Sequence, residues 1–318
     1  MKIFALKFVL FLVLVLVLLK ILDQYYTTYS VKHKNLCEKP YWIMNHSNQA
    51  IDLAFIGNSR VYNMIDVNLI EKITGKVGIN LGLTGSNYAE NYLILDQFFK
   101  SGNKVKNLVI QVDMNSLNSN TFSYPFHSFF YMHLLNDTTV SNIFKDCTPQ
   151  YRFLMWKYIP FIRYMEFNNR FVLYKILKGG FECATSSEFD STKGSVLFSS
   201  DTFKSENSKY TYRIVNKMDV KYLQKIIALA KQKKTTVVLY TAPIYNKCFH
   251  YQLNYSEILT TAKNIADSNN IRFFDFNETS NPLCMDQNNF TDDVHMNTVG
   301  VRKFNPILLD SIKTLLLK

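Results

Sequence analysis

Apolar residues fall along this chain in two patterns. From Ile3 to Leu22 they form one long run, interrupted only by Lys7 and Lys20. Beyond it, short continuous apolar runs alternate with segments of helical period. Runs at 53–57 (LAFIG), 77–82 (VGINLG), 105–113 (VKNLVIQVD), 235–243 (TTVVLYTAP) and 271–276 (IRFFDF) predict strands. Helical spacing predicts helices at 67–75, 86–102, 220–234, 255–269 and 297–317. Gly75 reads as the stop of the first, Ser86 as the cap of the second and Pro306 as an irregularity within the last. Continuous apolar strands separated by helices predict an α/β domain whose parallel sheet is covered on both faces.

The first run is long enough for a membrane span, which needs about 20 apolar residues. Lysines near its ends can reach the interface. Lys2 and Lys7 precede the apolar core, which places the N-terminus inside and the rest of the chain outside. A cleaved signal peptide is the competing reading. No small-x-small site follows the core, and no cysteine there could take a lipid. In both readings the remaining residues work outside the cytoplasm, in a periplasm or at the cell surface. The expected organisation is a signal anchor at 1–24, contacting the membrane through 3–22, a polar stalk at 25–50 and the α/β domain at 51–318.

One segment breaks the alternation. Residues 116–208 form a long insertion after the third strand. Its middle, 151–174, holds nine aromatic residues in 24. It reads as helical, either a lid with its own small core, an acyl-chain groove or a docking face for a membrane partner. Residues 182–209 are Ser-rich and read as irregular.

With 318 residues, 47% of them apolar, the chain can bury a substantial core in one large domain or two modest ones. The net charge of +11 is spread without a long Lys/Arg run. It indicates attraction to an anionic surface or polymer, phospholipid or acidic glycan, rather than nucleic acid, for which no binding module is present. None of the five cysteines forms a CxxC pair, which argues against zinc. One or two disulfides fit an oxidising compartment. Cys248 with Cys284 is the first pairing to expect, since both follow strands at one sheet edge.

In parallel α/β sheets, active sites gather beyond the carboxyl ends of the strands. There this sequence places Gly57-Asn58-Ser59-Arg60, then Gly82 and Gly85, then Asp113 and Asn115, then Asp292, Asp293 and His295. Acyl transfer has a use for each part. A serine hydroxyl needs a base, and histidine fits that task. The imidazole needs a carboxylate on its other nitrogen, and Asp292 stands three residues before His295. The oxyanion needs fixed donors. The Ser59 amide, a Gly82 amide and the Asn115 side chain are the expected three, with Gly85 competing for the glycine place. Arg60 is either a surface charge or a contact for a substrate anion. Asp293 reads as solvated, and His46, His127, His133 and His250 as ordinary residues.

The ordered blocks "FIGNSR", "NLGLTGSN", "VDMNS" and "FTDDVHMNTVG" resemble the SGNH/GDSL hydrolase superfamily. The first has Gly-Asn-Ser where the family has Gly-Asp-Ser. The third has Asp113 where the family has glycine, with Asn115 matching its asparagine. With the N-terminal anchor, the blocks are closer to a membrane-anchored subgroup that includes proteins of bacterial polysaccharide O-acetylation and teichoic-acid D-alanylation. The resemblance covers 51–115 and 235–316. It implies a three-layer, flavodoxin-like fold, a Ser59–His295–Asp292 triad and no metal or organic cofactor. It also implies a cell-envelope glycan as substrate and a membrane-bound O-acyltransferase as partner. The expected activity is that of a serine acyl-ester enzyme, an O-acetylesterase or O-acyltransferase. A catalytically weak accessory protein that binds glycan and the acyltransferase is the alternative.

Overall fold

Each of the five short apolar runs becomes a parallel strand. The computed structural model describes residues 2–32, 38–112, 117, 124–167, 186–198, 202–204, 215–249, 255–277 and 281–316. In chain order the helices and strands are α1 (Lys2–Lys32), α2 (Lys39–Asn45), β1 (Ala50–Ile56), α3 (Ser59–Met64), α4 (Val67–Thr74), β2 (Gly78–Asn80), α5 (Tyr88–Lys100) and β3 (Lys104–Gln111). There follow a 3₁₀ turn at Ser128–Leu134, α6 (Thr138–Cys147), α7 (Gln150–Tyr158), α8 (Ile162–Phe167), α9 (Ser186–Thr192) and α10 (Lys217–Gln232). The chain closes with β4 (Thr236–Thr241), α11 (Asn246–Phe249), α12 (Tyr255–Ser268), β5 (Arg272–Asp275), α13 (Pro282–Met285) and α14 (Thr298–Leu316). Residues pack into two units, Trp42–Phe126 with Ser186–Lys318, and Met1–Tyr41 with His127–Thr185.

The first of these units is built on the sheet. Its strands run parallel in the order β2-β1-β3-β4-β5, the flavodoxin-like, doubly wound order. The first crossover runs from β1 to β2 in one direction and the later ones run in the other. Right-handed connections therefore put the two sets of helices on opposite faces. α4 packs on α14, and α5 on α10. β1 is an inner strand, paired with β2 and β3, and its Leu53, Ala54, Phe55 and Ile56 are buried completely. Its register sets Phe55 opposite Asn80 on one side and Val109 on the other. The strand ends thus come level, and the order reverses between β1 and β3.

The expected helix boundaries hold with local differences. α4 ends at Gly75, whose φ of 66° lies in the left-handed region that a side chain would strain. Asn87, not Ser86, caps α5, accepting from Glu90 N. The Ser86 hydroxyl instead donates to the carbonyls of Gly57 and Leu83. Pro306 sits within α14 without ending it. Cys284 is a buried free thiol donating to Phe276 O, which replaces the expected Cys248–Cys284 bridge. Burial pushes that thiol up to about 11.

The second unit corrects the expected stalk at 25–50. α1 continues to Lys32, and Tyr26 is buried, its ring 5.0 Å from Phe161 and 5.4 Å from Tyr164. Asp23 is buried against the insertion. Its carboxylate accepts from Phe161 N (3.0 Å), Arg163 Nε (3.1 Å) and Arg163 Nη2 (2.9 Å). Phe144, Phe153, Trp156 and Tyr164 fill the core of this unit. The insertion expected at 116–208 thus divides. Its described residues at 127–167 belong with α1, while α9, Phe198 and Lys204 belong with the sheet.

Phe55→Ala in the inner strand β1 is expected to cost about 3–5 kcal/mol, the usual penalty for emptying a buried phenylalanine site. A fall in the denaturation midpoint of the sheet unit measures it.

Candidate active site

Ser59 is the first residue of α3, directly beyond β1. Gly57 lets the chain turn there. A Cβ on it would lie 2.5 Å from Gln111 Oε1 and 2.6 Å from Val61 Cγ2. The Asn58 side chain then caps the helix by accepting from Arg60 N (3.0 Å), and Asn58 N donates to Gln111 Oε1 (3.2 Å).

α3 has six residues, too few to be stable alone. Buried amides hold its far end. Asn80, at the end of β2, donates to the carbonyls of Val61 (2.7 Å) and Ile65 (3.1 Å). Asn305, from α14, donates to Met64 O (2.8 Å) and accepts from Asp66 N (2.7 Å). Both asparagines are fully buried.

His295 comes from the loop before α14. Thr291 N donates to His295 O (2.9 Å), and Phe290 bridges Met296 antiparallel, which closes the loop. Inside it, Asp292 Oδ1 accepts from the amides of Val294 (2.9 Å) and His295 (2.8 Å). Asn297 secures the exit, accepting from Val299 N and Gly300 N at the start of α14.

These two pieces bring three side chains into one line. His295 Nε2 is 2.8 Å from Ser59 Oγ, across 236 positions of sequence. His295 Nδ1 is 2.8 Å from Asp292 Oδ2. The serine can give its proton to one ring nitrogen while the carboxylate fixes the other. Histidine and aspartate are about one-fifth exposed, so the imidazole is reachable from solvent. Burial alone would raise the Asp292 carboxyl. The hydrogen bond and positive charge of His295, with the two backbone donors, outweigh it and hold the carboxyl below the ordinary range.

The other expected site residues are placed differently. Arg60 faces inward, 1% exposed, with Nη1 donating to Ala242 O (3.3 Å), so it is a buried link to the end of β4 and not a surface contact for an anion. Asp293 is buried rather than solvated, and its carbonyl accepts from Tyr245 N. The Gly82 amide, the expected oxyanion donor, is spent on Asn80 Oδ1 (2.9 Å). Gly82 has a packing reason instead, since a Cβ there would lie 2.6 Å from Tyr62 N. Gly85 keeps a left-handed φ of 68°, and its amide has no acceptor among the described residues. The same is true of the Ser59 amide. Leu83 N donates to Gly57 O, tying the Gly85 turn to the serine turn. Asp113 and Asn115 lie outside the described residues.

Sequence reading missed Phe198, whose ring meets His295 edge-on with 5.5 Å between centroids. Thr298 N donates to Phe198 O and Lys204 N to Thr291 O, so the segment expected to be irregular runs beside the histidine loop. No period marks it in the sequence. Asn80 and Gln111 were legible only as polar residues ending apolar strands.

No family model matches this chain, and no curated protein does. Solved structures do. One is a candidate acylhydrolase from Bacteroides fragilis, 12% identical, covering 89% of this chain and 98% of its own, with a TM-score of 0.43. A GDSL-like lipase from Bacteroides thetaiotaomicron is 12% identical, with coverage of 91% and 97% and a TM-score of 0.40. A candidate platelet activating factor from Streptococcus pneumonia is 14% identical, with coverage of 98% on both sides and a TM-score of 0.39. At such values, what Ser59 can do is decided by its own neighbours.

The depressed carboxyl fixes a sign. Asp292 contributes stability in full above the unfolded carboxyl pKa of about 3.9, and loses it as pH falls through the lower folded value. Asp292→Asn should therefore flatten the pH dependence of the denaturation midpoint across that acid window. Asn80→Ala should cost about 1–3 kcal/mol for each buried group left unpaired, read in the same assay.

Proposed function

We propose that this chain is a membrane-anchored serine acyl-ester enzyme of the SGNH type that works outside the cytoplasm on O-acyl groups of cell-envelope glycan. The 2.8 Å contact between Ser59 Oγ and His295 Nε2, backed by Asp292, carries this reading. A catalytically silent relative had no need to keep that line; a separation of about 10 Å, far beyond contact, would have favoured the accessory alternative.

Ser59 Oγ attacks the acyl carbonyl as His295 Nε2 takes its proton. Asp292 holds the ring and stabilises the imidazolium. The amides of Ser59 and Gly85 receive the oxyanion, each worth on the order of 3 kcal/mol in such sites. Collapse expels the alcohol, which takes the proton from His295 and leaves an acyl ester on Ser59. A second hydroxyl, from water or sugar, gives its proton to His295 and removes the acyl group. The acceptor alone separates esterase from transferase.

Two features support the location and substrate. Lys2–Thr28 is long and apolar enough to cross a membrane, and the lysines ahead of its core favour an outward C-terminal part. The charge of +11 favours an anionic glycan. A membrane-bound O-acyltransferase as acyl donor fits the anchor.

Fluorophosphonate labelling of the full-length protein tests the chemistry. Wild type is expected to label, and Ser59→Ala and His295→Ala to lose the label. Asp292→Asn should lower the labelling rate by up to about 10⁴-fold, as loss of the correct tautomer does. Wild type that stays unlabelled under all conditions would sink the enzyme reading.

A further inference from the structure

The outer face of α7 is apolar in the wrong direction. Tyr151, Leu154, Met155 and Tyr158 recur at i, i+3, i+4 and i+7, the spacing of a stripe that ordinarily faces a core. Here all four are exposed, at 68%, 41%, 39% and 70%. Phe153 and Trp156, on the other side of the helix, are the buried ones. Ile159 and Met165 continue the exposed apolar surface toward α8.

Position within the α1 unit says what covers this face. The apolar run of α1 ends at Leu22, and the next residue, Asp23, is gripped by Arg163 and Phe161 N at the start of α8. α7 is fixed to α8 in turn, through the Arg152–Glu166 ion pair (2.7 Å) and the Trp156–Glu166 hydrogen bond. A helix that spans a membrane thus leaves its apolar layer beside this face. Charge agrees. A pocket of about 350 Å³ between α6 and α7 is lined by Lys145 and Lys157 together with Thr148, Phe153, Leu154 and Tyr158. Exposed tyrosines mixed with lysines are the composition of a bilayer boundary.

We infer that α7 and its flanks lie in the headgroup layer of the bilayer that α1 spans. Tyr151, Leu154, Met155 and Tyr158 enter its apolar edge, and Lys145 and Lys157 hold anionic phospholipid headgroups. This rests on reading α1 as a span, and is independent of the serine chemistry.

Full-length protein in vesicles of phosphatidylcholine and phosphatidylglycerol tests it. The vesicles carry a phospholipid with a diazirine near its glycerol backbone, and labelled peptides are mapped after irradiation. Labels are expected on α1 and on 150–165. The latter should fall about fivefold for each of Lys145→Gln and Lys157→Gln, the equivalent of about 1 kcal/mol per interfacial lysine. Replacing the phosphatidylglycerol should lower it likewise. Labelled α1 with unlabelled 150–165 overturns the inference and leaves the face to a protein. Labelling of 150–165 indifferent to lipid charge and to both lysines overturns the headgroup assignment. Unlabelled α1 removes the span, and the inference with it. Ser59 labelling on the same samples reports separately on the enzyme.

Discussion

A six-residue helix cannot hold Ser59 in place by itself, so the candidate site depends on the buried amides that grip α3. Asn80 takes two of its carbonyls from the end of β2, and Asn305 takes a third from α14. The second of these matters doubly, because α14 also carries the histidine loop at its start. One helix therefore braces the serine turn and carries the loop that sets His295 against Ser59. The cost of leaving such buried groups unpaired makes the arrangement rigid, since no alternative partner is at hand in a dry interior.

Asp292 solves a different problem. Its Oδ1 holds the loop backbone through two amides while Oδ2 faces the imidazole. The carboxylate thus shapes the loop and orients the ring together. A turn of four residues, Asp292 to His295, can be fixed this way without help from distant elements. That explains why the pair was legible as a spacing, whereas the contact to Ser59 required the whole sheet.

What could be read in the sequence follows from where each signal is stored. Strands covered on both faces leave continuous apolar runs, so the parallel sheet was legible, as were Ser59, Asp292 and His295 at its rim, whereas the strand order was implied only by the family resemblance. Burial of polar side chains leaves no period. Arg60 and Asp293 looked like surface charges, and both are inside. Gly82 was preferred to Gly85 as the donor, and only the structure shows that Asn80 claims the Gly82 amide. Phe198 reaches His295 from a Ser-rich stretch whose composition predicts nothing.

The expected stalk fails for a related reason. Residues beyond Leu22 look polar enough for a solvated linker, yet Asp23 and Tyr26 are buried. A buried carboxylate just past an apolar run is costly unless it meets a cation. Arg163, 140 positions later, meets it with two nitrogens. Sequence distance hid that partner. Once the pair is formed, the aromatic-rich insertion cannot be a separate appendage, because its core closes around the same stretch of α1 through Phe161 and Tyr164. The chain therefore carries the Ser59–His295–Asp292 line on the sheet unit and the aromatic core around Phe161 and Tyr164 on α1.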